Sequence, residues 1–182
     1  MQIEKTGFEN LLILHPAVHT DNRGSFLESF NEARFRIETG MNITFVQDNE
    51  SISKKDVLRG LHFQIPPASQ AKLVRVAKGK VLDVVVDMRQ SQRTFGKQFS
   101  VELSSENKIQ LFIPEGFAHG FLVLEDDTIF SYKCSNYYDR ECDRSLLWND
   151  PDLKINWGNK TPILSDKDNN APTLKSLDGF FF

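Results

Sequence analysis

Lys72-Leu73-Val74-Arg75-Val76-Ala77-Lys78-Gly79-Lys80-Val81-Leu82-Asp83-Val84-Val85-Val86-Asp87 reads as two strands with a chain reversal between them. Aliphatic and β-branched residues dominate both halves, as they do on pleated, buried surfaces. The break is Lys78-Gly79-Lys80, where a reversal needs the positive φ that glycine reaches at little cost. The expectation is a hairpin turn at Gly79. The same theme recurs on either side, as short Val, Ile, Leu and Phe segments punctuated by Gly, Pro, Asp, Asn or Ser. Strands are predicted over Val57–Phe63, Lys72–Ala77, Lys80–Asp87, Lys97–Leu103, Gln110–Ile113, Ala118–Leu124 and Thr128–Ser135. They follow one another too closely for crossover helices, so their pairing must be mostly antiparallel.

One helix is predicted, Glu32–Thr39, with Asn31 to cap its first amides and Gly40 to end it in the left-handed conformation. Helical periodicity is absent elsewhere. Many short strands with few, short helices give an all-β fold of two packed antiparallel sheets, a β-sandwich or jelly roll. With 182 residues and no linker, repeat or low-complexity run, the chain reads as a single domain over 1–182. Its C-terminal extension, about 150–182, is rich in Asp, Asn, Lys and Pro after Trp157 and is expected to pack on the sheets.

Composition narrows the function classes. Hydrophobic residues at 40% and charged residues at 26% are those of a soluble globular domain, which argues against disorder and collagen. A net charge of −3 supplies no global field for nucleic acid or an anionic membrane, so an anionic ligand must be held by local cations. The apolar run Leu11–Leu14 is too short for a secretory signal, and Val81–Met88 is cut by Asp83 and Asp87, so no membrane span is expected. Cys134 and Cys142 form no C-x-x-C motif and read as reduced, buried spectators, consistent with a cytoplasmic protein.

Of the four histidines, His15 and His19 sit in structural contexts. His62, in Arg59-Gly60-Leu61-His62-Phe63-Gln64, falls on a strand whose period of two puts Gly60, His62 and Gln64 on one face and Leu61 and Phe63 on the other. His119 ends Pro114-Glu115-Gly116-Phe117-Ala118-His119, whose P-x-G-x-x-H spacing resembles the second motif of the cupin jelly rolls. In that frame the usual metal-ligand stations of the first motif read His62, Gln64 and Lys72. An ammonium in place of a carboxylate repels a metal ion, so no metal and no cofactor are expected. Lys72 can instead stabilise negative charge on a substrate oxygen. A neutral His62 can accept a proton, and Tyr132 can return one. That is equipment for removing a proton beside a carbonyl.

The resemblance then sharpens. Asp21-Asn22-Arg23-Gly24-Ser25-Phe26-Leu27-Glu28, Phe45-Val46-Gln47-Asp48-Asn49, the Arg59–Gln64 block, Gln70-Ala71-Lys72-Leu73-Val74-Arg75, Thr94-Phe95-Gly96-Lys97, the Ile113–Phe121 block, Tyr132-Lys133 and Trp148-Asn149-Asp150-Pro151 stand in the order and spacing of the dTDP-4-dehydrorhamnose 3,5-epimerase family. The resemblance implies a substrate, dTDP-4-dehydro-6-deoxy-D-glucose, inverted at carbons 3 and 5 on either side of its ketone to give dTDP-4-dehydro-L-rhamnose, a precursor of rhamnose for surface polysaccharide. It implies His62 as proton acceptor, Lys72 as enolate stabiliser, Tyr132 as proton donor and Asp168 as the partner that orients His62. It implies Arg23 and Arg59 on the pyrophosphate and Tyr138 on the thymine. Further binding positions are Phe26, Glu28, Gln47, Asp48, Asn49, His119, Asp143 and Lys167. Asp143 stands where the family commonly carries the longer Glu. A homodimer in which N-terminal strands join the partner's sheet is also implied. The rival readings are an epimerase of one carbon only, a ketoisomerase of a deoxysugar pathway, and a non-catalytic sugar-nucleotide-binding cupin; a metal-dependent cupin oxygenase is opposed by Gln64 and Lys72.

Overall fold

A computed structural model describes residues 1–177; the end of the expected C-terminal extension, 178–182, lies outside the described residues. In chain order the elements are β1 Gln2–Lys5, β2 Leu12–His15, β3 Val18–Asp21, β4 Gly24–Leu27, α1 Glu32–Thr39, β5 Gln47–Ser53, β6 Leu58–Gln64 and β7 Lys72–Lys78. They continue with β8 Lys80–Asp87, β9 Gln98–Ser104, β10 Gln110–Ile113, β11 Phe117–Val123, β12 Thr128–Cys134, β13 Asp143–Ser145 and α2 Asp166–Asn169. All seven expected strands are present, with ends shifted by at most one residue.

Two antiparallel sheets face each other: β1-β2-β10-β7-β12-β5 and β13-β6-β11-β8-β9. The hairpin expected at Gly79 is not formed. β7 pairs with β10 and β12, whereas β8 pairs with β11 and β9, so Gly79 is where the chain crosses from one sheet to the other. Its φ of 80° is the positive value expected, and an added Cβ would lie 2.3 Å from Thr128 Oγ1, so glycine is required for close approach as well as for backbone conformation.

Among the described residues, the buried apolar side chains sort into three clusters. Val74, Val76, Val81, Val85, Leu111, Phe117 and Phe130 fill the space between the sheets. Outside the five-stranded sheet, Leu61, Phe63, Val84 and Val86 are covered by Trp148 and by Leu153, Trp157 and Leu177 of the C-terminal extension. Outside the six-stranded sheet, Leu12, Leu14, Leu73 and Phe112 pack with Phe35 of α1. The helix has the expected caps: Asn31 accepts from the Arg34 amide, and Gly40, at φ 71°, ends it.

β1 to β5 and β13 were not among the expected strands, and α2 is one of the few short helices that the expected fold class includes, although only Glu32–Thr39 was placed from the sequence. α2 is one turn of four residues, too short to show periodicity, and its N-cap is Ser165. β3 and β4 form a separate two-stranded arm whose residues are almost all exposed.

Candidate functional site

β6 and β11 approach so closely that a Cβ on Gly60 would lie 2.6 Å from Gly120 Cα and from His119 O; Gly60 also takes φ 116°. This contact accompanies a register shift in the β6–β11 ladder, and just beyond it His62 and His119 are direct cross-strand partners. Leu61 and Phe63 turn toward the C-terminal layer, so His62 turns toward the space between the sheets. Gln64, expected on the same face as His62, is buried and serves the fold. Its amide donates to the Ala68 and Tyr137 carbonyls, and its oxygen accepts from the Asp139 amide.

The C-terminal extension reaches this point through a parallel bridge between Val57 and Ile163, in which the Leu58 amide donates to Ile163 O at 2.9 Å. The bridge delivers α2, whose buried Asp168 lies 2.5 Å from His62 Nε2. Burial alone would lift the Asp168 carboxyl, but the hydrogen bonds from His62, Ser165 and the Gly60 amide hold it below the usual carboxylate range. An ionised Asp168 accepts from Nε2–H and leaves Nδ1 of the neutral imidazole as its basic nitrogen.

The facing sheet supplies Lys72 from β7 and Tyr132 from β12. Cys134 is the ladder partner of Lys72, which puts Tyr132 on an adjoining position; Lys72 Nζ lies 5.9 Å from the Tyr132 ring centroid. Burial pushes the Lys72 amine down, and the charges of Cys134, Asp143 and Asp83 partly restore it. Burial pushes the Tyr132 phenol up, so it is protonated at neutral pH. His62, Lys72 and Tyr132 line one cavity of about 570 Å³ together with Asn49, Ser51, Arg59, His119, Phe121, Phe130 and Asp168. His62 and Tyr132 therefore belong to opposite sheets.

At the β5 side of the cavity, hydrogen bonds join several of the expected residues. Asn49 donates to Cys134 Sγ at 3.6 Å and accepts from Gln47. Gln47 accepts from the Tyr138 amide, and the Tyr138 hydroxyl donates to Asp143, which also pairs with Lys167. Arg59 is aimed by donating Nε–H to Ser53 Oγ at 3.1 Å.

Eight expected residues do not line the cavity: Gln47, Tyr138, Asp143 and Lys167, which are joined to it through Asn49, and Asp48, Arg23, Phe26 and Glu28. Asp48 alternates with Gln47 and Asn49 and so lies on the outer face of β5, paired with Lys133 at 2.9 Å. Arg23, Phe26 and Glu28 belong to the arm or the segment just after it. Arg23 pairs with Asp21, Phe26 is 69% exposed, and Glu28 binds Asn31 and Arg34. Arg23 and Arg59 thus do not meet within one chain. Conversely, Ser51, Ser53, Asp83 and Cys134 touch the site or its residues and were not expected there. Cys134 is buried, as expected, and its Sγ accepts a hydrogen bond from Asn49.

Comparison with known proteins converges on one family. The family model described as dTDP-4-dehydrorhamnose 3,5-epimerase matches residues 5–176. The dTDP-4-dehydrorhamnose 3,5-epimerase of Shigella flexneri is 50% identical over 180 residues, covering 99% of each chain. Among solved structures, that of the enzyme from Elizabethkingia anophelis superposes with a TM-score of 0.91 at 49% identity, covering 100% of this chain and 99% of that one. The dTDP-6-deoxy-D-glucose-3,5-epimerase of Legionella pneumophila, in complex with dTDP-4-keto-L-rhamnose, superposes with a TM-score of 0.93 at 46% identity, covering 97% and 94%.

Proposed function

The chain belongs to the dTDP-4-dehydrorhamnose 3,5-epimerase family, and on that premise we propose how its own residues carry out the inversion of carbons 3 and 5 of dTDP-4-dehydro-6-deoxy-D-glucose. The C4 ketone acidifies the hydrogens on both flanking carbons. His62 takes one of these protons, and the C–H electron pair moves onto the C4 oxygen as an enolate. Lys72 stabilises that oxygen. Tyr132 then protonates the same carbon from the opposite face as the enolate electrons return, and solvent restores both side chains. The same sequence at the other carbon completes the product. The observation that carries this reading is the placement of His62 and Tyr132 on opposite sheets across one cavity, with Lys72 beside Tyr132.

Proton NMR of the substrate with the protein in heavy water tests it. Solvent deuterium is expected at both carbons, with inversion at each. Exchange at one carbon would instead identify a single-site epimerase, and binding without exchange a sugar-nucleotide-binding module.

The nucleotide side of the reading rests on the same geometry. Arg59 lines the cavity, and the exposed Tyr138, joined through Gln47 to the cavity residue Asn49, offers its ring to the thymine. A second arginine for the pyrophosphate would come from a second copy of the chain. An isolated two-stranded arm is marginal in water, and β5 is an edge strand whose Ile52 is 63% exposed. A homodimer in which the arm of one protomer docks against the other would satisfy both, and would carry Arg23, Phe26 and Glu28 toward the partner's cavity. Under this arrangement Arg23→Ala raises KM roughly 10- to 100-fold with little change in kcat, the loss expected for a charge-assisted contact made equally in ground and transition states. Mixing Arg23→Ala with His62→Asn protein then restores tight-binding activity, because one hybrid site regains an intact arm and an intact cavity. No recovery on mixing would place the arm's contribution within its own chain.

A further inference from the structure

The valine-rich strand β8 carries one charge that its packing does not explain. Val81, Asp83 and Val85 share the face that looks between the sheets, and Asp83 is wholly buried there. Taking a carboxylate out of water costs several kcal/mol, roughly, unless partners satisfy it. Asp87, four residues on in the same strand, is satisfied on both oxygens by Arg89 and Thr94. Asp83 is satisfied on only one. Oδ2 lies 2.9 Å from His119 Nε2, while Oδ1 is buried without a hydrogen-bond partner among the described residues. A half-satisfied buried carboxylate is what a functional group leaves behind, since a structural one would be fully paired.

His119 gives the charge its use. Its ring is 7% exposed, lines the reaction cavity and stacks on Phe130 with centroids 6.0 Å apart, so it cannot easily turn. An ionised Asp83 accepts from Nε2–H, and in the neutral imidazole this fixes the other nitrogen, Nδ1, as a bare acceptor. Nδ1 has no hydrogen bond among the described residues. A bare nitrogen binds neither a ketone oxygen nor a phosphate, both of which are acceptors. It binds a donor, and the donors that a 4-keto sugar brings into this cavity are its ring hydroxyls.

We infer that Asp83 is a positioning residue for the epimerisation: it holds His119 in the Nε2–H tautomer, whose Nδ1 takes a hydrogen bond from a ring hydroxyl and so sets the pose in which the carbons beside the ketone meet His62. The cavity then holds two imidazole–carboxylate pairs on neighbouring strands with different duties, His62–Asp168 for proton transfer and His119–Asp83 for orientation. The charge of Asp83 also favours the ammonium form of Lys72.

This inference rests on the cavity being the epimerisation site, and two measurements separate its failure from failure of that reading. The first is nitrogen-15 NMR of histidine-labelled wild-type protein with dTDP and with dTDP-L-rhamnose. Nδ1 of His119 is expected to resonate as an unprotonated nitrogen and to shift with dTDP-L-rhamnose but not with dTDP, which lacks the sugar. A protonated Nδ1, or the same shift with both ligands, overturns the inference even if deuterium enters carbons 3 and 5. The second is a double-mutant cycle with Asp83→Asn and His119→Gln. Asp83→Asn is expected to lower kcat/KM about 10- to 100-fold, and the double variant to be no worse than His119→Gln alone within about twofold, as for two residues acting as one unit. Multiplying effects, or an unchanged Asp83→Asn, would overturn it. The spectrum uses wild-type protein and decides the point whether or not Asp83→Asn folds.

Discussion

His62→Asn is expected to abolish deuterium uptake at carbon 3 and carbon 5 together, lowering kcat roughly 10²- to 10⁴-fold, the contribution usual for a positioned general base. At about 1.4 kcal/mol per factor of ten, that is about 3–5 kcal/mol of barrier. Asparagine removes the basic imidazole, and its shorter amide ends where Nδ1 stood, short of Nε2, so Asp168 loses its imidazole partner and keeps the Gly60 amide, while the Ser165 cap still anchors the α2 segment. What the amide cannot do is accept a proton. Substrate affinity should change little, since Arg59, Tyr138 and Lys167 are untouched. The simultaneous loss at both carbons is the discriminating result. Exchange surviving at one carbon would mean that a second base serves it, and His119, the cross-strand partner of His62, would be the one. Proton NMR in heavy water reads both positions in one experiment.

The sequence made the strands legible and left their partners obscure, for a physical reason. Alternation and turn residues are local, so Lys80–Asp87 and Gln110–Ile113 are read to the residue. Whether a glycine at positive φ closes a hairpin or carries the chain to the opposite sheet depends on which distant strands compete for its neighbours' amides. Gly79 has the φ of a reversal, but β10, β12, β9 and β11 take the hydrogen bonds. The short arm strands are exposed, Val18 and Phe26 included, and so carry no buried-face pattern.

The site divides the same way. His62, Lys72 and Tyr132 are recognisable as a base, a cation and an acid, each on its strand. Asp168 is not, because it stands 106 residues from His62 in a short polar segment, and only the family resemblance pointed to it. Asp83 did leave a signal: a charge interrupting Val81-Leu82-Asp83-Val84-Val85-Val86 is costly wherever that run is buried. Read as an obstacle to membrane insertion, it said nothing of His119. Its meaning depends on a partner 36 positions away and on one oxygen being left unpaired, neither of which a linear pattern contains. Asp48 shows the converse, since membership of a motif does not say on which face of β5 a side chain falls.

Tyr132→Phe is expected to separate two events that His62→Asn removes together. The substitution deletes one oxygen and keeps the ring, whose centroid lies 6.1 Å from that of Phe130 and 5.9 Å from Lys72 Nζ, so the cavity wall and the enolate stabiliser stay in place. His62 still takes the proton, and, being on its own face of the sugar, can give solvent deuterium back to that face. Exchange with retention of configuration should therefore continue at a substantial fraction of the wild-type rate. Inversion needs a proton from the other sheet, and burial holds the Tyr132 phenol protonated well above neutral pH for that purpose. With the hydroxyl gone, formation of the inverted product should fall roughly 10²- to 10⁴-fold. The informative quantity is the ratio of deuterium incorporated to product inverted, which rises steeply in Tyr132→Phe and is undefined in an inert His62→Asn. Global unfolding lowers exchange and inversion in parallel and leaves that ratio unmoved, so the ratio separates a lost acid from a damaged fold. If inversion kept pace with exchange in the variant, water in the cavity would be supplying the second face, and the assignment of Tyr132 as the proton donor would fall.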